Sequence, residues 1–325
     1  MKDKIAIVTG GAGFIGSHIV DKLIEEKYHV RVIDSLKDGN LTFLEQHANN
    51  PNFKFFKFDL KDKKIYSLFK NVEIVFHFAA NADIKGGIKN PTLDLCEGAV
   101  VTSNVLEAMR LNNVKKIVFS STGSVYGEPS IFPTPEIAPF PTQTSFYAAS
   151  KLYSEALIQS YCEAYNFQSW IYRFVSILGE RYTHGVVFNF VQQLREHPKI
   201  LNFLSDGTPL KSYLFVGDCI RGIFHGIKYS NNKINLFNLG TDEEITVLDL
   251  AEIVIKKLEL NDVSYKLGST DRGWVGDSPH IYLDISKLKG LGWKPEKTIK
   301  EAVEITVDYL TTNSSFLNKN YFRDK

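Results

Sequence analysis

Hydrophobic and polar positions in the first 175 residues switch repeatedly between two periods. Short β-branched or aromatic runs of strand length occur at 5–8, 29–33, 53–58, 72–78 and 115–121. Helix-period segments cover 14–27 and 91–111, and a helix over 145–166 precedes another strand at 167–175. Repeated βα units predict an α/β protein with a parallel, doubly wound sheet, whose ligands bind at the carboxyl ends of the strands. From Ser176 the alternation loosens into glycine-punctuated segments, with helices expected at 186–197, 218–228, 247–258 and 299–310. Two domains are expected. Residues 1–175 carry the sheet, and 176–325 form mainly a smaller mixed α/β lobe with some segments returning to that sheet. Prolines 129, 133, 135, 139 and 141 mark an ordered loop over the site. The last dozen residues, rich in Asn, Ser and Lys, read as a loosely held tail.

The first strand runs into Gly10-Gly11-Ala12-Gly13-Phe14-Ile15-Gly16 and a helix, and the second strand ends on Asp34. A glycine series in this strand–turn–helix–strand context is a dinucleotide fingerprint of the Rossmann type. Gly10, Gly13 and Gly16 permit a tight turn, close approach to a pyrophosphate and helix-on-strand packing. The helix start at Phe14 and Ile15 offers amides to the anion. The Asp34 carboxylate is suited to the adenosine ribose hydroxyls and would repel a 2′-phosphate. With no arginine in Asp34-Ser35-Leu36-Lys37-Asp38, NAD is expected rather than NADP. Lys37 qualifies this, because a lysine there can partly neutralise such a phosphate. Asp59-Leu60 is placed to meet the adenine, and Ala79-Ala80 ends a strand with small side chains that let a cofactor approach.

Composition narrows the class. The 325 residues are 44% hydrophobic with 38 basic and 37 acidic side chains. So near-neutral a charge gives no field for nucleic acid or an anionic membrane. The apolar runs are strand-sized, the N-terminus lacks a secretory pattern, and Cys96, Cys162 and Cys219 have neither metal-like spacing nor an even count. A soluble, cytoplasmic protein without a metal site is expected.

Tyr147 and Lys151 are four apart, so they share one face of the 145–166 helix. A free phenol, with a pKa of about 10, is a poor base. A nearby ammonium and the positive nicotinamide ring would favour its phenolate. Thr122, after Ser120-Ser121, is placed to hydrogen-bond the alcohol being oxidised. Tyrosine and lysine at this spacing are common on solvated helices, so the pair takes its weight from its surroundings.

Together, Thr9 to Gly16, Asp34, Asp59-Leu60, His77 to Ala80, Phe119 to Thr122, Val125-Tyr126-Gly127-Glu128, Tyr147-x-x-x-Lys151 and Leu291 to Pro295 span nearly the whole chain. In this order they resemble an extended short-chain dehydrogenase/reductase of the nucleotide-sugar epimerase/dehydratase group, nearest the 4-epimerases. The resemblance implies that Tyr147 is the acid/base, that Lys151 lowers its pKa and holds the nicotinamide ribose, and that Thr122 bonds the sugar hydroxyl. It implies C4 oxidation of a nucleotide-diphospho-sugar, UDP- or GDP-linked. It also implies a homodimer through the 91–111 and 145–166 helices.

A 4,6-dehydratase of this group carries an Asp-Glu pair after the threonine, and a decarboxylase a glutamate in that segment. Here Gly123-Ser124 follows Thr122. Epimerisation needs no further catalytic group, and neither does release of the 4-keto sugar as a net 4-dehydrogenase. A catalytically silent NAD-binding protein would have no use for the retained Thr122, Tyr147 and Lys151. Departures from the group's pattern are Gly98 and Ser176 where asparagines are usual, and Lys211 where an arginine usually grips the diphosphate. Arg272 matches a second phosphate-binding arginine, in a longer loop through Trp274 to Asp277. His184 is placed either to bond a sugar hydroxyl or simply to lie on a loop. Asn189 and Phe203 either border the base or, for Phe203, belong to a core, and Trp274 stacks on the sugar or not.

Overall fold

The structure, a computed structural model, describes residues 4–81, 85–140 and 142–317. Pro141 of the proline loop and residues 318–325 of the tail lie outside them. The chain divides into two units. The first comprises residues 1–125, 145–173 and 223–237, the second 126–144, 174–222 and 238–325.

The first unit is built on a seven-stranded sheet. Its strands are β1 (Ile5–Thr9), β2 (His29–Asp34), β3 (Phe53–Lys57), β4 (Ile74–His77), β5 (Lys116–Thr122), β6 (Gln168–Phe174) and, after the next unit's short strands, β11 (Ile234–Leu239). The order is β11-β6-β5-β4-β1-β2-β3, and the strands from β3 to β5 pair in parallel. Every residue of β4 is buried, as expected for a parallel strand covered on both faces. Ile7, Ile33, Val75, Ile117 and Phe119 of the strands pack with Val105, Met109, Ile158 and Cys162 of the helices in one core cluster. Cys162 and Cys219 are buried and Cys96 is partly so, all three as free thiols.

One expected element is interrupted. In place of a uniform 91–111 helix, the chain forms Thr92–Asp94, a π-helical stretch Leu95–Val100 and the α-helix Val101–Leu111. Gly98 lies in the π stretch, where a Cβ would stand 2.6 Å from Ser150 Oγ of the Phe146–Tyr165 helix. The Thr102 hydroxyl donates to the Gly98 carbonyl at 2.8 Å. Insertions of this kind recur at functional sites.

The second unit carries three small sheets, β7 (Ser176–Leu178) with β10 (Tyr213–Phe215), β12 (Ile245–Thr246)-β9 (Leu210–Lys211)-β14 (His280–Ile281), and β8 (Ile200–Asn202) with β13 (Ser264–Lys266). Its Ile299–Thr312 helix starts on a capping box formed by Thr298 and Glu301, which satisfies amides at the helix start. Asn238 grips the described part of the proline-rich segment. The Asn238 side chain donates to the carbonyls of Thr134 (2.8 Å) and Asp284 (3.0 Å) and accepts from the Tyr126 hydroxyl (2.8 Å). Among the described residues, no helix is long and apolar enough to cross a membrane.

Arg173 and Glu155 form a buried two-point ion pair, Nε to Oε1 at 3.0 Å and Nη2 to Oε2 at 2.7 Å, with side chains 2% and 1% exposed. Arg173→Met strands the carboxylate. It is expected to lower unfolding free energy by about 3–5 kcal/mol, read from the urea unfolding midpoint.

Candidate active site

The turn after β1 is built by backbone crowding. Gly10 has φ +68°, and a Cβ on it would lie 2.7 Å from the Ala79 amide nitrogen. A Cβ on Gly16 would come within 2.1 Å of the Gly10 carbonyl oxygen. Ala79, two residues past the end of β4 and followed by Ala80, therefore closes on the glycine turn. Gly13 caps the Phe14–Glu25 helix without a side-chain hydrogen bond, and no acidic residue stands in its first turn. That end is shaped for an anion. Ile15 follows Phe14 in the same turn.

Asp34 closes β2 and is 8% exposed. Its Oδ2 accepts the Ala12 amide (3.0 Å) and its Oδ1 the Leu36 amide (2.8 Å), which pin the carboxylate between turn and strand. Burial raises its pKa, and those two amides oppose the rise. Each oxygen accepts one of these bonds, which leaves a lone pair for a ribose hydroxyl. Asp59 is exposed, accepts the Lys61 amide and pairs with its ammonium at 3.3 Å, while Leu60 turns into the core. These features fit a dinucleotide.

The Phe146–Tyr165 helix begins at Ser145, whose hydroxyl accepts the Ala148 amide, and ends on Asn166 in the left-handed conformation. This cap places Tyr147 in the first turn and Lys151 one turn later. Lys151 is 3% exposed. Its Nζ donates to the Ser120 carbonyl at 2.6 Å, and lies 4.7 Å from the Phe119 ring centroid and 5.9 Å from that of Tyr147. Ser120 is thus what fastens the lysine to the end of β5, two residues before Thr122. The Thr122 hydroxyl donates to Ser124 Oγ at 3.2 Å and accepts the Ser124 amide.

The Tyr147 phenol is pushed up by the protein groups around it, because burial disfavours the phenolate and the Asp94 charge adds to the effect. Lys151 is pushed down to about 7 by burial, against the upward pull of Glu155.

Sequence reasoning missed the groups behind Lys151. Glu155 stands four residues further on the same helix face, accepts the Ser121 hydroxyl and binds Arg173. The i, i+4, i+8 spacing of Tyr147, Lys151 and Glu155 was the available signal. His77 was also missed as a polar centre. It is fully buried, hydrogen-bonded to Thr9 Oγ1 (2.7 Å) and Thr102 Oγ1 (3.1 Å), and held down to about 3 by burial and by Lys151.

In the second unit, Lys211 and Arg272 converge on Asp277. Lys211 Nζ meets Asp277 Oδ1 at 2.6 Å, Arg272 Nη1 donates to the Asp277 carbonyl at 3.2 Å, and Arg272 pairs with Glu128 at 2.6 Å. Asp277 Oδ2 also accepts the Gly273 amide, which closes the longer loop on itself. Ser176 and Asn189 are exposed, on β7 and on the Val186–Glu196 helix. His184 is exposed, hydrogen-bonded to the Thr183 hydroxyl and stacked on Tyr182. Phe203 is core, packed against Phe190 and Tyr265.

Residues 6–240 match the NAD dependent epimerase/dehydratase family. The chain is 35% identical over 315 residues to a putative UDP-glucose 4-epimerase of Methanocaldococcus jannaschii, covering 95% of this chain and 99% of that one. Among solved structures it resembles a UDP-glucose 4-epimerase of Thermotoga maritima with UDP-glucose, at 31% identity and a TM-score of 0.85, over 95% of this chain and 99% of that one. It also resembles a UDP-glucuronic acid 4-epimerase of Bacillus cereus in complex with UDP-glucuronic acid and NAD, at 26% identity and a TM-score of 0.87, with the same coverage.

Gly16→Ala forces a methyl into the Gly10 carbonyl. It is expected to abolish coenzyme retention, read as loss of nicotinamide absorbance and fluorescence from the purified protein, with about 1–3 kcal/mol of stability. Lys151 makes a second prediction. Its folded pKa lies below the value of 10.5 for a free side chain, so between the two the unfolded chain binds more protons. Stability therefore rises with pH in that window. Between pH 7 and 9 the coenzyme-free protein should gain about 2 kcal/mol relative to Lys151→Met, measured by urea unfolding at both pH values.

Proposed function

The chain belongs to the NAD-dependent epimerase/dehydratase family, and on that premise we propose that it interconverts C4 epimers of a UDP-linked hexose. The observation that carries this is the Lys151 clamp. Tyr147 stands one turn from a lysine whose ammonium is fixed to the Ser120 carbonyl, on the strand that ends in Thr122. NAD, when bound, supplies the hydride acceptor for C4 and a positive ring charge that favours the phenolate.

The chain's own residues handle the proton and the orientation. At rest, burial and Asp94 keep the Tyr147 hydroxyl protonated. With coenzyme bound, the Tyr147 phenol first gives up its own proton to solvent. The phenolate Oη then takes the proton of the sugar 4-hydroxyl as the C4–H bond breaks, and returns it when C4 is reduced from the other face. Lys151 contributes its charge and holds the nicotinamide ribose, while the Thr122 hydroxyl turns from Ser124 to the sugar oxygen. After Thr122 come Gly123 and Ser124, neither able to remove a C5 proton or protonate a departing 6-hydroxyl. Return of the hydride is the remaining outcome for a ketose that stays bound, which favours epimerisation over dehydration.

Residues of the first unit carry coenzyme and chemistry. We assign the nucleotide to the second unit, with Lys211 and Arg272 for the diphosphate and Ser176, His184 and Asn189 toward sugar and base. Leu95, Val100 and Leu111 beside Phe146, Tyr153 and Tyr165 are exposed apolar residues on the two helical segments expected to pair in a homodimer. Three free thiols fit a cytoplasmic location.

Tyr147→Phe should lower C4 inversion of UDP-glucose and UDP-galactose, followed by proton NMR, by about 100-fold or more while NAD stays bound. Undiminished inversion would remove Tyr147 from the mechanism. A keto product in the wild-type reaction would instead make the protein a net dehydrogenase. In sedimentation at micromolar concentration a dimer is expected, and a monomer alone excludes the helical interface.

A further inference from the structure

Cofactor choice in this fold is set at the end of β2, where Asp34 meets the adenosine ribose. Two lysines stand at the same edge. Lys37 follows Asp34 by three residues, and Lys61 follows Asp59 just beyond β3. β2 and β3 are neighbours in the sheet, with Asp34 in register with Lys57 and the Phe58 amide donating to the Asp34 carbonyl at 3.1 Å. By position alone, both ammonium groups are available to a 2′-phosphate, which carries nearly two negative charges near neutrality.

Neither is left to it. Glu97, in the π-helical stretch Leu95–Val100, reaches both. Its Oε1 lies 2.7 Å from Lys61 Nζ and 3.7 Å from Lys37 Nζ. Lys61 pairs with Asp59 as well, at 3.3 Å. Hydrogen bonding to Glu97 holds the Lys61 pKa above its ordinary value, so this cation is charged and already engaged. Asp34, pinned by the amides of Ala12 and Leu36, cannot swing aside to admit a phosphate.

We propose that Glu97 is a second determinant of coenzyme choice: by holding the ammonium groups of Lys37 and Lys61 it denies both cations to a 2′-phosphate on the adenosine ribose. Lys37, the cation three residues past Asp34, is thus engaged by a carboxylate sixty positions further along the chain. The inference rests on dinucleotide binding at the glycine turn and is independent of the sugar substrate. Its physical content is electrostatic. A carboxylate replaced by an amide of the same shape leaves Lys37 without that partner and Lys61 with Asp59 alone, which adds positive charge at a solvated rim, where charge selects between ligands.

The test is displacement of bound NADH, followed by its fluorescence, with NAD+ or NADP+ as competitor. Wild-type protein should need about 100-fold more NADP+ than NAD+ for equal displacement, since Asp34 repels the phosphate. Glu97→Gln should narrow that ratio about five- to tenfold, and Glu97→Lys should narrow it further. Adding Lys37→Ala and Lys61→Ala to Glu97→Gln should restore the wild-type ratio. In about 0.5 M salt the effect of Glu97→Gln should shrink, because exposed charges are then screened within a few ångströms. A ratio unmoved by Glu97→Gln overturns the proposal, as does a narrowed ratio that persists without the two lysines. Absence of NADH fluorescence from the wild-type protein would remove the dinucleotide site itself, a failure distinct from either.

Discussion

A buried ammonium organises the candidate site of the first unit. Lys151 has almost no contact with water, and an isolated charge in such a place is strongly unfavourable. It is tolerated because the Ser120 carbonyl accepts a hydrogen bond from it, the Phe119 ring lies against it and Glu155 stands one helical turn away. Glu155 is itself buried, matched by the two-point contact with Arg173 of β6 and by the Ser121 hydroxyl of β5. The helix cannot slide or rotate against the strand ends without uncovering a charge. That constraint sets the height of Tyr147, one turn nearer the helix start.

A second polar chain runs through the same sheet. The Thr102 hydroxyl gives its hydrogen to the Gly98 carbonyl, so toward His77 it must accept. His77 therefore carries its proton on Nε2, and Nδ1 accepts from the Thr9 hydroxyl. Thr9 in turn accepts the Ala79 amide at 3.4 Å. The series connects the end of β1, where the glycine turn begins, to the π-helical stretch at Gly98. A neutral imidazole is what this network requires, in agreement with its strongly lowered pKa. Gly98 is also where packing against Ser150 leaves no room for a side chain. A larger side chain at that position would displace the serine.

The second unit handles charge differently. Its two candidate phosphate-binding cations are held by Asp277 and Glu128, and the Asp277 backbone and side chain together close the 272–277 loop. Lysine at 211 contributes a point charge without the paired donors of an arginine, so the carboxylate beside it does much to fix its direction. Trp274 and the exposed Val275 fall within this loop.

The alternation of short apolar runs with helical periods, and the glycine turn between β1 and its helix, were enough to establish the sheet, the coenzyme and the place of Asp34. Those features are local: period, turn chemistry and strand ends are written in adjacent residues. Tyr147, Lys151 and Thr122 were legible for the same reason, since each belongs to a short run with its own spacing. Glu155 with Arg173, His77 with Thr9 and Thr102, and Glu97 with Lys37 and Lys61 were not, because each pairing joins residues far apart in the chain. The direction of the Tyr147 shift was decided by the fold as well. Burial depends on what packs around a group, and only the folded chain brings Asp94 near the phenol and withdraws Lys151 from water. The identity of the candidate groups belongs to the sequence; their protonation, their partners and the π-helical insertion at Gly98 belong to tertiary packing, which brings distant side chains within hydrogen-bond range and removes the solvent between them.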